Sequence, residues 1–182
     1  MKKIALFILT ALTFGSCSSD IITYTDEPVS GGSGNATTLD CSDFNSDIAV
    51  LQVLASELLS GSCVMSVNGS SIEFDTGTTA SVTVRESYGF SCSNPAVGVS
   101  GRFWTINGTA LETKVAEALP QFKCEEDSWH YSLDGGSAWT FLSDAEDGAC
   151  VPVFSSFSDD GTEVIVSLGA GNTFSFDYFE ED

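Results

Sequence analysis

The spacing of apolar residues predicts one helix, over residues 39–61. Apolar side chains recur in steps of three and four, as one helix face requires, at Cys41, Phe44, Ile48, Leu51, Ala55 and Leu58. Asp40 or Ser42 can cap its start, and Gly61 ends the run. The same steps also form a heptad seam. Two alternatives therefore stand: the helix docks on sheets of its own chain, or it joins partner helices in a coiled coil.

Beyond the helix, the apolar pattern changes to a period of two, which predicts β-strands. Residues 62–90 alternate on both sides of Asn68-Gly69, a pair that tolerates the positive φ angles of a tight hairpin. A third alternating run surrounds Val82. We therefore predict a β-meander over residues 62–90.

Residues 91–182 show an internal repeat with a period of about 25 residues. Pro95 precedes Trp104 by nine positions, and Pro120 precedes Trp129 by the same nine. We predict a region of β-hairpin repeats here. The predicted fold class is mainly β, with short antiparallel hairpins, a Trp-containing repeat and one N-terminal amphipathic or coiled-coil helix.

The N-terminus has the parts of an export signal. Lys2 and Lys3 precede an apolar run that is shorter than the roughly 20 residues that span a bilayer. The run ends in Phe14-Gly15-Ser16-Cys17, which resembles a bacterial lipobox. Residues 1–16 are therefore predicted to be a lipoprotein signal peptide, with lipid (palmitate) attached at Cys17.

The segment after the lipobox is polar and rich in Ser, Gly and Thr. Residues 17–38 are predicted to be a flexible tether, because such a composition does not pack. Ser18 follows the lipidated cysteine, which in such lipoproteins usually goes with the outer membrane. We expect an outer membrane lipoprotein displayed on the cell surface, with the membrane as a partner through its lipid anchor.

Charge narrows the choice of ligands. The 182 residues carry 6 Lys and Arg against 26 Asp and Glu, a formal charge of −20, which becomes −22 when Lys2 and Lys3 are removed. Such a surface repels polyanions. Nucleic acid is therefore not an expected partner, and a glycan ligand is expected to be neutral.

Aromatic residues in the repeat region are the candidate ligand-binding residues. Flat rings at Trp104, Trp129, Tyr131 and Trp139 are suited to stacking on sugar rings, although aromatic residues at strand spacing are also typical of a core. Residues 132–139 resemble the Asp-box of carbohydrate-acting β-proteins, in which the Asp side chain binds turn amides. The box is interpreted as a fold element and not as a catalytic motif.

Other polar residues offer weaker candidates for chemistry. His130 is the single histidine of the chain. It is interpreted as a surface residue, with a general base as the alternative. The acidic run at Asp144, Glu146 and Asp147 is the candidate calcium site, although its spacing does not match an EF-hand. No other cofactor is predicted. The five remaining cysteines are interpreted mostly as core thiols, with one or two disulfides as an alternative.

Several short stretches together resemble a known family. They read DIAVLQ at 47–52, AVGV at 96–99, FWTING at 103–108, PQFK at 120–123, WHYS at 129–132 and DGGSAWT at 134–140. Their order resembles the domain of unknown function near the N-terminus of many Bacteroidetes-type surface lipoproteins, including polysaccharide lyases of family twenty-nine. Relatives often carry collagen-like repeats, which imply a trimeric stalk, and this chain lacks them. Because the lyases' catalytic part lies beyond this region, the resemblance implies no enzymatic activity.

We therefore expect a non-enzymatic surface lipoprotein that acts as a stalk or as a glycan- or partner-binding module. Two alternatives stay open. One is a lyase-like accessory enzyme that uses His130 or Tyr131 as its base with a calcium clamp. The other is a structural fibre subunit, a homotrimer assembled through the heptad seam.

Overall fold

The structure, a computed structural model, describes residues 38–90 and 93–180. All of them belong to the compact unit Gly34–Asp182. The predicted signal peptide over 1–16, the lipidation site Cys17 and all but the last residue of the 17–38 tether lie outside the described residues. Within the described part, no helix is both long enough and apolar enough to cross a membrane.

The described residues form one helix and twelve strands. The helix, α1, is Ser42–Ser60. The strands are β1 Val64–Asn68, β2 Ser71–Phe74, β3 Thr79–Ser81, β4 Val97–Ser100, β5 Phe103–Ile106, β6 Thr109–Lys114, β7 Gln121–Glu125, β8 Ser128–Ser132, β9 Thr140–Asp144, β10 Phe154–Asp159, β11 Glu163–Leu168 and β12 Thr173–Asp177. The prediction of a mainly β chain with a single N-terminal helix is confirmed for this part of the sequence.

The strands form four antiparallel sheets of three, each built from consecutive strands. We number them in chain order, so that sheet 1 is β1-β2-β3 and sheet 4 is β10-β11-β12. The predicted meander is sheet 1, and its first hairpin turns at Gly69 with a φ of 65°. The central strands begin at residues 71, 103, 128 and 163, so a spacing of 25 residues separates sheets 2 and 3 but not the other neighbours.

The helix contacts one edge strand of every sheet, namely β3, β4, β7 and β12. Five of the six seam residues are at most 7% exposed, and Leu58 at 39% is the exception. The sheets of the same chain therefore already cover the seam. Of the two alternatives for the helix, docking within its own chain is what the structure has, because a coiled-coil partner would need the face that these sheets occupy.

Local hydrogen bonds fix both ends of α1. The Asp40 carboxylate accepts a bond of 3.0 Å from the Ser42 amide at the start. At the end, Gly61 has a φ of 74°, and the Ser62 amide donates to the Glu57 carbonyl at 3.0 Å. A left-handed glycine with such a bond is a common helix terminus, which explains why the predicted end at residue 61 lies within one residue of the observed end at Ser60.

One core joins the helix to the sheets. The ring of Phe44 is fully buried, with its centroid 5.1 Å from that of Tyr88, 5.4 Å from that of Phe122 and 6.1 Å from that of Trp129. Burying a Phe side chain stabilises a fold by about 1.5–3 kcal/mol. Phe44 therefore anchors α1 to sheet 3 and to the segment after sheet 1.

The cysteine prediction can be followed at four positions. Cys41 and Cys124 are buried among core residues, as predicted for small apolar side chains. Cys63 and Cys150 carry free thiols and are half-buried. Cys92 lies outside the described residues.

Candidate ligand-binding face

Two of the four predicted ligand-binding residues belong to the core. Trp104 is fully buried and Trp129 is 1% exposed. The Trp104 Nε1 donates to the Ala118 carbonyl at 2.8 Å, and the Trp129 Nε1 donates to the Ser93 carbonyl at 2.9 Å. The prediction that these two rings stack on a sugar is wrong, because no face of either ring reaches the surface. Each indole instead forms a hydrogen bond between the central strand of its sheet and a connecting segment.

The other two predicted residues are half-buried and lie on opposite faces of sheet 3. Tyr131 pairs across the ladder with the buried Phe122, and the two ring centroids are 6.4 Å apart. It also lines a shallow pocket of about 230 Å³ with Leu133 and Asp134. Trp139 lies on the other face, where the Nζ of Lys123 is 4.8 Å from its ring centroid. The predicted aromatic platform is therefore divided between two faces.

The outer face of sheet 3 gathers residues from all three of its strands. Lys123 of β7 pairs with His130 of β8, and His130 pairs with Phe141 of β9. Side chains that pair across a ladder point to the same face, and Trp139 lies two residues before Phe141 on that face. We call these four residues, Lys123, His130, Trp139 and Phe141, the outer aromatic face.

Exposure and ring geometry make the outer aromatic face suitable for contact with a ligand. Phe141 is 58% exposed, and its centroid lies 5.8 Å from that of His130 at an interplanar angle of 79°. The His130 Nδ1 lies 3.2 Å from the Ser128 carbonyl. Because a carbonyl only accepts, that bond requires the hydrogen on Nδ1, which leaves Nε2 as an acceptor when the ring is neutral.

The charge on the outer aromatic face is balanced locally. The Nζ of Lys123 lies 2.6 Å from a carboxylate oxygen of Glu125 while it also rests on the Trp139 ring. The ammonium is thus shared between an ion pair and a cation–π contact. The face therefore offers apolar rings and polar edges with little net charge.

The Asp-box turn leads into this face. The Asp134 carboxylate accepts from the Ala138 amide at 2.9 Å and from the Ser132 hydroxyl at 2.7 Å, and the Gly136 amide donates to that hydroxyl at 2.9 Å. The bond from the Ala138 amide, followed by that from the Ser132 hydroxyl, lowers the pKa of Asp134. The predicted bond from the box Asp to a turn amide is confirmed, and it fixes the backbone immediately before Trp139.

Sequence reasoning missed Phe141 and Lys123. The alternation Trp139-Thr140-Phe141 already indicates two rings on one face of a strand. The position of Lys123 could not be read from the sequence, because it depends on the register between β7 and β8. The pairing of β8 with β9 also contains a bulge, at Trp129 and His130, and bulges redirect side chains.

The residues of the lyase-like alternative do not converge. His130 belongs to the outer aromatic face, whereas Tyr131 packs on the opposite face of the sheet against Phe122. The calcium candidates Asp144, Glu146 and Asp147 are exposed. Across residues 38–90 and 93–180, no three His, Cys, Asp or Glu side chains come together as a metal site. The calcium clamp predicted from the acidic run is therefore not assembled there.

Comparison with known proteins indicates no family or function for the chain. No protein-family model, curated protein or solved structure matches the chain. A function must therefore be inferred from the outer aromatic face, the charge of the chain and its N-terminal signal.

Proposed function

We propose that the protein is a surface-anchored lipoprotein that binds a neutral glycan through the outer aromatic face and acts by contact and positioning. The observation that carries the proposal is the exposed Phe141 on the same sheet face as the half-buried Trp139, with His130 against the Phe141 ring and the Lys123 ammonium over the Trp139 ring. Single exposed apolar residues are ordinary on protein surfaces, whereas several rings gathered on one sheet face are typical of a contact site.

The chemistry of the face favours a neutral sugar. The exposed ring of Phe141 and the half-buried ring of Trp139 suit the apolar face of a pyranose, and the imidazole of His130 and the ammonium of Lys123 suit its hydroxyls. The formal charge of −20 over the chain opposes an acidic polysaccharide. Neutral hexose or pentose polymers are therefore the expected ligand class.

Affinity gel electrophoresis tests the proposal. The full chain should migrate more slowly in native gels that contain a neutral glucan, mannan or galactan, and a polyuronate should have no effect. Phe141→Ala and Trp139→Ala should each weaken the affinity about tenfold, equivalent to ~1.4 kcal/mol. Phe179→Ala is the matched control, because Phe179 is 48% exposed but lies outside the outer aromatic face.

The possible outcomes distinguish an error in the binding surface from an error in the proposed ligand. Retardation that persists in both Phe141→Ala and Trp139→Ala would assign glycan binding to another surface. Migration unchanged by every neutral polysaccharide would refute glycan binding itself. Circular dichroism of each variant verifies that the fold is intact.

The anchor is proposed from the sequence motif at Cys17 and is tested separately. In a bacterial host that processes lipoproteins, the wild type should incorporate labelled palmitate and sediment with membranes. Cys17→Ala should incorporate no label, and Cys63→Ala serves as the control cysteine. Equal labelling of wild type and Cys17→Ala would refute the anchor without affecting the glycan proposal.

A further inference from the structure

A shallow pocket of about 300 Å³ lies between the last turn of α1 and the end of sheet 2. Leu59, Arg102, Lys114 and Ala116 line it. Leu59 is 52% exposed and gives the pocket an apolar wall. The pocket combines apolar contacts with two cationic side chains, in a chain that has only 6 Lys and Arg against 26 acids.

The backbone places the two cations side by side. Phe103 pairs with Lys114 across β5 and β6, and the Val115 amide donates to the Arg102 carbonyl at 2.9 Å. Val115 is fully buried, and its own carbonyl accepts a bond of 2.6 Å from the Gln52 side chain of α1. Rigid elements on both sides therefore hold the pocket open.

The two cations differ in their ion pairing. The Nζ of Lys114 forms a salt bridge of 2.5 Å with the Glu117 carboxylate. Within residues 38–90 and 93–180, Arg85, Lys114 and Lys123 form ion pairs and Arg102 forms none. In a chain with a large excess of carboxylates, an unpaired guanidinium next to an apolar wall is available to an external anion.

We propose that this pocket binds a small organic acid, with its carboxylate on Arg102 and its apolar body against Leu59 and Ala116. A guanidinium offers a planar pair of donors that matches a carboxylate in two hydrogen bonds. Lys114 adds a second positive charge that Glu117 partly offsets. The inference is independent of the glycan proposal, since it uses another surface and the opposite ligand charge.

Phenylacetate is the probe, and phenylacetamide is its neutral control. Titration into the full chain, followed by NMR of the Leu methyl and Arg Nε–Hε groups, should shift the signals of Leu59 and Arg102 with phenylacetate but not with phenylacetamide. Arg102→Gln should weaken the binding at least tenfold, since a charge-assisted bond is lost. Glu117→Gln should strengthen it about threefold, because it frees Lys114 from a competing carboxylate.

Glu86→Gln is the matched control for Glu117→Gln, because it removes the same negative charge at an exposed position outside the pocket and should leave the phenylacetate affinity unchanged. Equal shifts with phenylacetate and phenylacetamide would overturn the proposal, because the carboxylate would then play no part. The absence of saturable shifts with phenylacetate, or a Glu117→Gln variant that binds more weakly than the wild type, would also overturn it.

Discussion

Asp47 connects α1 to two segments that are distant in sequence. Asp47 is 3% exposed, and its carboxylate accepts from the Arg85 Nε and from the Tyr88 hydroxyl, each at 3.0 Å. The Tyr88 hydroxyl in turn accepts from the Val153 amide at 2.8 Å. Burial raises the pKa of Asp47 even though the bonds from Arg85 and Tyr88 oppose that shift. Three parts of the chain are thus linked through the Asp47 carboxylate and the Tyr88 hydroxyl.

Asp47→Ala should lower the free energy of unfolding by about 3 kcal/mol, because it leaves Arg85 and Tyr88 without their buried acceptor. Asp47→Asn should cost less, since an amide oxygen still accepts both bonds and carries no charge into the core. Urea unfolding measures both. Ser46→Ala is the control on the same helix, because Ser46 is exposed and lies outside the Asp47–Arg85–Tyr88 network. Equal stability of wild type and Asp47→Ala would contradict this account.

At the scale of elements, a side chain of α1 forms the hydrogen bonds that a neighbouring strand would form at the edge of sheet 3. The Asn45 carboxamide donates to the Phe122 carbonyl at 2.9 Å and accepts from the Phe122 amide at 2.7 Å. This pair of bonds replaces those of a neighbouring strand. The amide of Asn45 therefore satisfies backbone groups of β7 that would otherwise be buried without partners.

Asn45→Ala should lower the free energy of unfolding by about 2 kcal/mol, because both backbone groups of Phe122 lose their partner. Thermal and urea unfolding measure the loss. Ser46→Ala, at an exposed position of the same helix, should change stability by less than about 0.5 kcal/mol. If the two variants were equally stable, the carboxamide would contribute nothing to the docking of α1.

Local sequence patterns predicted the positions of the helix and of the first hairpin, but they did not predict which face of each strand is buried. The steps of three and four placed α1 within three residues of its bounds, and Asn68-Gly69 located the first hairpin. Local patterns could not show that Trp104 belongs to the core. Alternation divides the side chains of a strand between two faces, but it does not indicate which face the helix covers. The site at Phe141 depended on the register of three strands, which no local pattern encodes.

At the scale of the molecule, the excess of negative charge should make stability depend on salt. With 26 acids against 6 Lys and Arg, repulsion between like charges destabilises the folded chain. Raising NaCl from 10 to 150 mM shortens the screening length from about 30 to about 8 Å. We expect the midpoint of thermal unfolding to rise by several degrees, measured by circular dichroism.

Calcium chloride at matched ionic strength is the control for that experiment. It should raise the midpoint no more than NaCl does, since the acidic side chains around Asp144 form no metal site in the described part of the chain. A much larger shift with calcium would instead indicate specific binding of that ion.

Because α1 contacts one strand from each sheet, its burial is completed only when all four sheets have docked. The helix precedes its most distant partner in sequence, Thr173–Asp177, by eleven intervening strands. The apolar face of α1 is therefore fully covered only after β12 has docked, and each sheet that docks earlier covers only part of it. Contacts of such long sequence separation slow folding. A chain truncated before β12 should consequently remain sensitive to proteases, and the full chain should acquire its protease resistance in a late, cooperative step of refolding.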